Sequence, residues 1–176
     1  ADVTDENQIS KLANFAVQKF GRIDVWINNA GVRIPHVPVE EMDMKRAHDM
    51  IEVNLFGTMY GSKFALIQMK KQGSGIIINI LSTAALSGRK NSSGYVASKH
   101  AVAGFTKCLQ LEAEEESIKV VAVYPGGMQT NFFDEQKPDD YDQYMNSNLV
   151  AEKIVENLKK DNPEGELVIR RPSPKN

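Results

Sequence analysis

Apolar residues along this chain fall into two alternating patterns, and the alternation predicts a layered fold. Four short runs are dominated by apolar residues: Ile23 to Ile27, Gly75 to Ile80, Lys119 to Tyr124 and Glu166 to Ile169. Runs of this length rich in Ile and Val suit parallel strands buried on both faces. Between them, apolar residues recur every three or four positions, the helical period. Asp5 to Phe20 reads as a helix closed by Gly21, with Ile9, Leu12, Phe15 and Ala16 on one side. Met42 to Lys70 reads as one long helix, and Leu149 to Lys160 as another. Ser92 to Glu114 is also helical, with serines at its start suited to capping. Helices alternating with strands, without internal repeats, predict an α/β layer with a parallel sheet, in a single domain over 1–176.

One segment breaks the pattern. Asn131 to Asn148 has neither period, and 18 unpatterned residues directly after a strand predict a lid over a substrate, against the plainer reading of a passive surface loop. It holds five acidic residues and one lysine, which argues against a strongly anionic substrate or an acidic carrier protein. Arg33, Arg89 and Lys90 are the counter-indication, since they could lie near the mouth. Net charge of −2 gives no reason to expect nucleic acid or an anionic membrane as partner. Without a secretory signal or an apolar stretch of about 18 residues, a cytoplasmic site is expected. Cys108 is alone, so no internal disulfide forms; in an apolar helical run it is expected to be buried and inert.

The candidate chemistry begins with Ser82, Tyr95 and Lys99. Tyr95 and Lys99 are four apart, so on a helix they stand one turn from each other on one face. A tyrosine hydroxyl ordinarily titrates near ~10, and a neighbouring ammonium would lower that value toward neutrality. Ser82 would hold the substrate oxygen beside the phenol. A lone Tyr-x-x-x-Lys is close to noise, and its companions decide the matter. Asn28-Asn29-Ala30-Gly31 closes the first strand, where open α/β sheets bind ligands. Asn54 stands in a long helical segment between apolar neighbours, and Pro125-Gly126-Gly127-Met128-Gln129-Thr130 follows the third strand. Singly, Asn54 reads as a tolerated buried amide and Pro125-Gly126 as an ordinary turn. All four in this order point to one shared site.

On these motifs the chain resembles the classical short-chain dehydrogenase/reductase family, from Asp2 to about Thr130 and more loosely to Pro172. The resemblance implies a doubly wound, Rossmann-type sheet with helices on both faces, and NAD or NADP as cofactor, leaning to NADP. It implies Tyr95 as catalytic acid/base, with Lys99 lowering its pKa and gripping the nicotinamide ribose. Ser82 would polarise the carbonyl, and Asn54 would hold a water linking Lys99 to solvent. Asn28, Ala30 and Gly31 would stabilise the central sheet beside the cofactor, with Asn28 nearest it. Pro125, Gly126 and Thr130 would hold the carboxamide, and Asp2 and Val3 the adenine. No metal is implied. The ending Glu166 to Pro172 resembles members acting on small hydroxy acids or simple carbonyls.

Two departures are mild: Leu81 stands where a second serine is frequent, and Met128 where a small β-branched residue is usual. The third is larger. No glycine precedes Gly21, so neither G-x-x-x-G-x-G nor G-x-G-x-x-G stands before the first helix. The expectation is that the N-terminal strands and the pyrophosphate turn lie outside these 176 residues. The reading reached is an NAD(P)-dependent oxidoreductase interconverting a small-molecule carbonyl and a secondary alcohol. Its alternatives are a dehydratase or epimerase of the extended branch, or a non-catalytic module on a dinucleotide fold. Two helices apolar nearly all round, Ala47 to Ile67 and Tyr95 to Leu111, predict a homodimer or homotetramer built on them.

Overall fold

The computed structural model describes residues 1–171; Pro172, the end of the looser resemblance, lies outside the described residues. Four parallel strands form the main sheet: β1 (Val25–Asn28), β2 (Gly75–Ile80), β3 (Ile118–Pro125) and β6 (Glu166–Ile169), in the order β1-β2-β3-β6. Each expected strand is present, but β1 is not buried on both faces as expected, since Val25 and Ile27 are 40% and 51% exposed. Alternation of side chains across the pleat decides which residue meets which layer. Ile77 and Val120 face α1 (Glu6–Phe20), α3 (Gly57–Gln72) and α4 (Ser93–Glu114), packing on Ala13, Ala65, Met69, Leu109 and Ala113. Ile78, Val121 and Val123 face the other way, toward Val150 of α5 (Ser147–Leu158) and Met145. Helices therefore cover both faces.

Local chemistry sets the helix ends. Asp5 caps α1 by accepting from the Asn7 and Gln8 amides, and Gly21 ends it at φ 83°, a left-handed conformation that glycine adopts without cost. The buried stripe of α1 is Ile9 and Ala13, with Leu12 and Phe15 exposed. Of the expected stripe, Ile9 is buried and Ala16 packs against the core, while Ala13 turns inward in place of Leu12 and Phe15.

The long helix expected from Met42 to Lys70 is broken. It consists of α2 (Met44–Ile51), one π turn over Glu52–Phe56, and α3. Inside the π turn, the Thr58 hydroxyl donates to the Asn54 carbonyl at 2.8 Å, so a side chain fills part of the interrupted ladder. Segment 131–148 is partly ordered by its own contacts. It has 3-10 turns at Asn131–Phe133 and Tyr141–Gln143, and its β5 (Met145–Asn146) pairs with β4 (Met128–Gln129). Cys108 is exposed, contrary to expectation, since Val102, Thr106 and Leu109 take the inward positions of α4.

Candidate active site

Strand pairing places the asparagines of two neighbouring strands side by side, Asn28 opposite Asn79. Asn28 accepts from the Trp26 indole at 2.8 Å and donates to Asn79 Oδ1 at 2.8 Å and to Ser62 Oγ at 3.0 Å. Asn79 donates onward to Thr106 Oγ1 at 3.0 Å. This is a buried polar rung joining two strands to α3 and α4, with its groups paired as a dry interior requires. The rung matches the resemblance's expectation that this motif stabilises the central sheet, but Asn28 itself does not line the cavity. Trp26 and Asn28 share one side of β1, and that side faces the helices. Asn29, Ala30 and Gly31 line the cavity in its stead.

Beyond the strand ends lies a cavity of about 1000 Å³, which brings together Ala30, Gly31, Ser82, Tyr95, Lys99, Pro125, Gly126 and Thr130. Asn54 stands just behind it, and Asp2 and Val3 are not among its lining residues. The Asp2 carboxylate is occupied by the Thr4 amide and hydroxyl, at 2.9 and 2.8 Å. Val3 sits where a side chain on Gly57 would meet it at 3.0 Å.

Ser82 leaves β2 and caps the 3-10 turn Thr83–Ala85, accepting from the Ala84 amide at 3.1 Å. Tyr95 and Lys99 lie on the first turns of α4. Lys99 is 5% exposed; its Nζ donates to the Ile80 carbonyl at 3.1 Å and lies 6.0 Å from the Tyr95 ring centroid. Two N–H bonds of the ammonium remain for a ligand. Burial pulls this ammonium down to about 8. Burial also pushes the Tyr95 phenol up, opposed by the neighbouring Ser82 hydroxyl and by the charges of Arg33 and Arg89. In this arrangement the phenol is therefore not lowered as expected from Lys99, whose ammonium is turned onto the Ile80 carbonyl.

Asn54 clamps the adjoining loop. Its Oδ1 accepts from the Val32 amide at 2.8 Å, and its Nδ2 donates to the Val32 carbonyl at 2.9 Å and the Ser98 hydroxyl at 3.1 Å. Ser98 in turn donates to the Tyr95 carbonyl at 2.8 Å. The π turn thus ties the loop after β1 to the helix carrying Tyr95. A Cβ on Gly31 would stand 3.4 Å from Asn54 Oδ1 and 3.7 Å from Lys99 Nζ, so glycine leaves the space beside the ammonium open.

Over the cavity, Phe132 meets the Tyr95 ring edge-on at 5.9 Å and leads into a cluster of Phe133, Tyr141 and Tyr144. Phe132 and Tyr144 come from the segment expected to be a lid, Asn29 from the expected motif and Ser92 from the expected capping position, none of them expected as site residues; His36 was not expected at all. Asn29 was readable, since the inward-facing alternation of Trp26 and Asn28 turns the cavity contact over to the residues that follow. His36 depends on how the loop after β1 folds back and carries no local signal.

The family model for short chain dehydrogenase matches residues 1–149. Levodione reductase of Leifsonia aquatica is 35% identical over 130 residues, 74% of this chain and 49% of that protein. D-beta-hydroxybutyrate dehydrogenase of Rhizobium meliloti (strain 1021) is 34% identical over 159 residues, 88% of this chain and 58% of that protein. The chain thus spans about half the length of these curated relatives. Among solved structures, ElxO with NADP bound superposes with a TM-score of 0.86 at 34% identity, covering 97% of this chain and 74% of that one.

Proposed function

The chain belongs to the short-chain dehydrogenase family, and from that premise we propose that it is an NAD(P)-dependent oxidoreductase interconverting a carbonyl and a secondary alcohol. The observation that carries this reading is the convergence of Ser82, Tyr95 and Lys99 on one cavity at the strand ends. The residues fit the nicotinamide half of a dinucleotide. Lys99 has two N–H bonds to spare for a ribose diol, and Gly31 leaves the approach open. The backbone at Gly126 is fixed by its amide donating to the Ile169 carbonyl at 2.8 Å, which sets Pro125, Gly126 and Thr130 for a carboxamide. A bound nicotinamide supplies or accepts the hydride at its C4.

The chain's own residues handle the other half of the reaction. In reduction, the Tyr95 hydroxyl gives its proton to the substrate oxygen while Ser82 donates a hydrogen bond to that oxygen; in oxidation the proton returns to the phenolate. Ser82 also favours the phenolate, which eases release of the proton. Lys99 keeps positive charge 6.0 Å from the centre of the Tyr95 ring, and the replacement proton comes from solvent. Asn54 and Ser98 hold the loop and the helix at the separation this needs. NADP is the favoured cofactor, supported by the NADP-bound neighbour at 34% identity.

Substrates are small molecules, and the assembly is a homodimer or homotetramer through α3 and α4. Loss of nicotinamide absorbance on mixing the full-length protein with NADPH or NADH and a panel of small ketones and diketones is the test. Turnover with at least one carbonyl is the expected result. A protein that binds the cofactor and reduces none of them would overturn the reading.

A further inference from the structure

The cavity is electrically one-sided. Its lining carries Arg33, His36, Arg89, Lys99, Arg170 and Arg171, and no aspartate or glutamate. The acidic residues of segment 131–148 compensate it only in part: Asp140 takes Arg171 at 2.7 Å, while Glu135 is held by Arg46 in a two-point pair at 2.6 and 2.7 Å. The cation-lined cavity and the acidic segment above it thus point in opposite directions on substrate charge. Arg33 and Arg89 have no carboxylate partner among the described residues.

Arg33 is nonetheless held in place. Its Nη1 donates to the Gln136 carbonyl at 2.9 Å, its Nη2 to Gln136 Oε1 at 3.0 Å, and its guanidinium lies 5.1 Å over the Phe133 ring. These are neutral partners, which orient the group and leave its charge unspent. Arg89 stands in the turn before α4, its carbonyl accepting from the Ser92 amide at 3.2 Å. The Ser92 hydroxyl, in a residue 5% exposed, is the one buried side-chain polar atom without a hydrogen-bond partner among the described residues, and Ser92 lines the same cavity. Its expected capping bond is not made. Both arginine charges act on the Tyr95 phenol, and both hold the His36 imidazole below its ordinary value along with burial. The uncompensated charge therefore lies beside the reacting position.

We propose, resting on the hydride-transfer reading, that the substrate is a small oxo acid or hydroxy acid whose carboxylate is bound by Arg33 and Arg89, with the Ser92 hydroxyl as a third donor. A cofactor phosphate has the same anionic chemistry, and the test separates the two sources. Full-length protein is assayed with pyruvate, acetoacetate and 4-oxopentanoate, and with the methyl ester of each. The expected result is kcat/KM at least about tenfold higher for one acid than for its ester, the effect of charge-assisted hydrogen bonds to the carboxylate. In Arg33→Leu and Arg89→Leu that ratio should fall by about tenfold, with KM for NAD(P)H unchanged. Equal rates for acid and ester, or an increase confined to the KM of NAD(P)H, would overturn the proposal and leave hydride transfer standing. If nothing is reduced, calorimetric binding of 4-oxopentanoate still decides: tighter binding to wild type than to both variants supports the anion site, and equal binding refutes it.

Discussion

Lys99 carries an ammonium into a place where it is 5% exposed, with a single carbonyl as hydrogen-bond partner. Burial pulls its pKa down to about 8, so keeping the ammonium charged in this place costs the fold stability. Below pH 8 both the folded and unfolded chains hold the proton, and the folded state bears the full desolvation penalty. As pH rises from 8 toward the unfolded value the folded chain loses the proton first, and stability increases. At about 1.4 kcal/mol per unit, less about 1 kcal/mol for the lost bond to Ile80, Lys99→Met should stabilise the cofactor-free protein by about 2 kcal/mol at pH 7. The gain should disappear by about pH 10 while activity is lost at every pH. Thermal melts at pH 7 and 10 check this; a stability difference that does not change with pH would contradict it. Ser82→Ala should lower kcat by about 10²-fold and shift the basic limb of its pH profile upward, because the hydroxyl favours the phenolate. Cofactor KM should change little, and a profile that stays in place would remove Ser82 from the phenol. The residues of this site were readable because their spacing survives as a pattern in one dimension. The pKa direction of Tyr95 was not, since it depends on burial and on Arg33 and Arg89, which approach from remote loops.

At the scale of elements, α3 rests on β1 through a place where no side chain fits. A Cβ on Gly61 would fall inside the Asn28 amide and 2.8 Å from the Trp26 indole nitrogen. Neither neighbour is the free end of a flexible chain, since Asn28 is committed to Ser62 and Asn79. Gly61→Ala should therefore push α3 off the sheet and cost about 1–3 kcal/mol, despite the better helix propensity of alanine. Urea unfolding is the measurement, and an unchanged or raised midpoint would show that the rung is not rigid. Strand positions and helix existence were legible, because apolar runs and the helical period are properties of neighbours in sequence. The π turn at Glu52–Phe56 was not: Asn54, Val32 and Ser98 define it, and they come together only in the folded chain. The stripe of α1 was misplaced for a similar reason, as Leu12 and Phe15 are as apolar as the residues that α3 selects.

For the whole molecule, the sheet and its two helical layers leave apolar surface uncovered on the helices that frame the site. Ile67 of α3 and Leu111 of α4 are 44% and 70% exposed, and Phe56, Phe64 and Phe105 are only partly covered. A symmetric partner presenting the same helices would bury them and would brace Tyr95 from behind. Light scattering of the full-length protein at micromolar concentration should give a dimer or tetramer; a fully active monomer would contradict that assembly. No helix among the described residues is long and apolar enough to cross a membrane. The central claim is that one hydroxyl, on Tyr95, moves the proton while the remaining residues place it. Tyr95→Phe in the full-length protein removes that oxygen and keeps the ring that packs on Phe132. Single-turnover reduction followed by nicotinamide absorbance, with calorimetric cofactor binding on the same sample, should show kcat reduced about 10²–10⁴-fold and NAD(P)H affinity unchanged. A variant that retains more than about a tenth of wild-type kcat would contradict the account, because general acid–base catalysis by this hydroxyl cannot be worth so little.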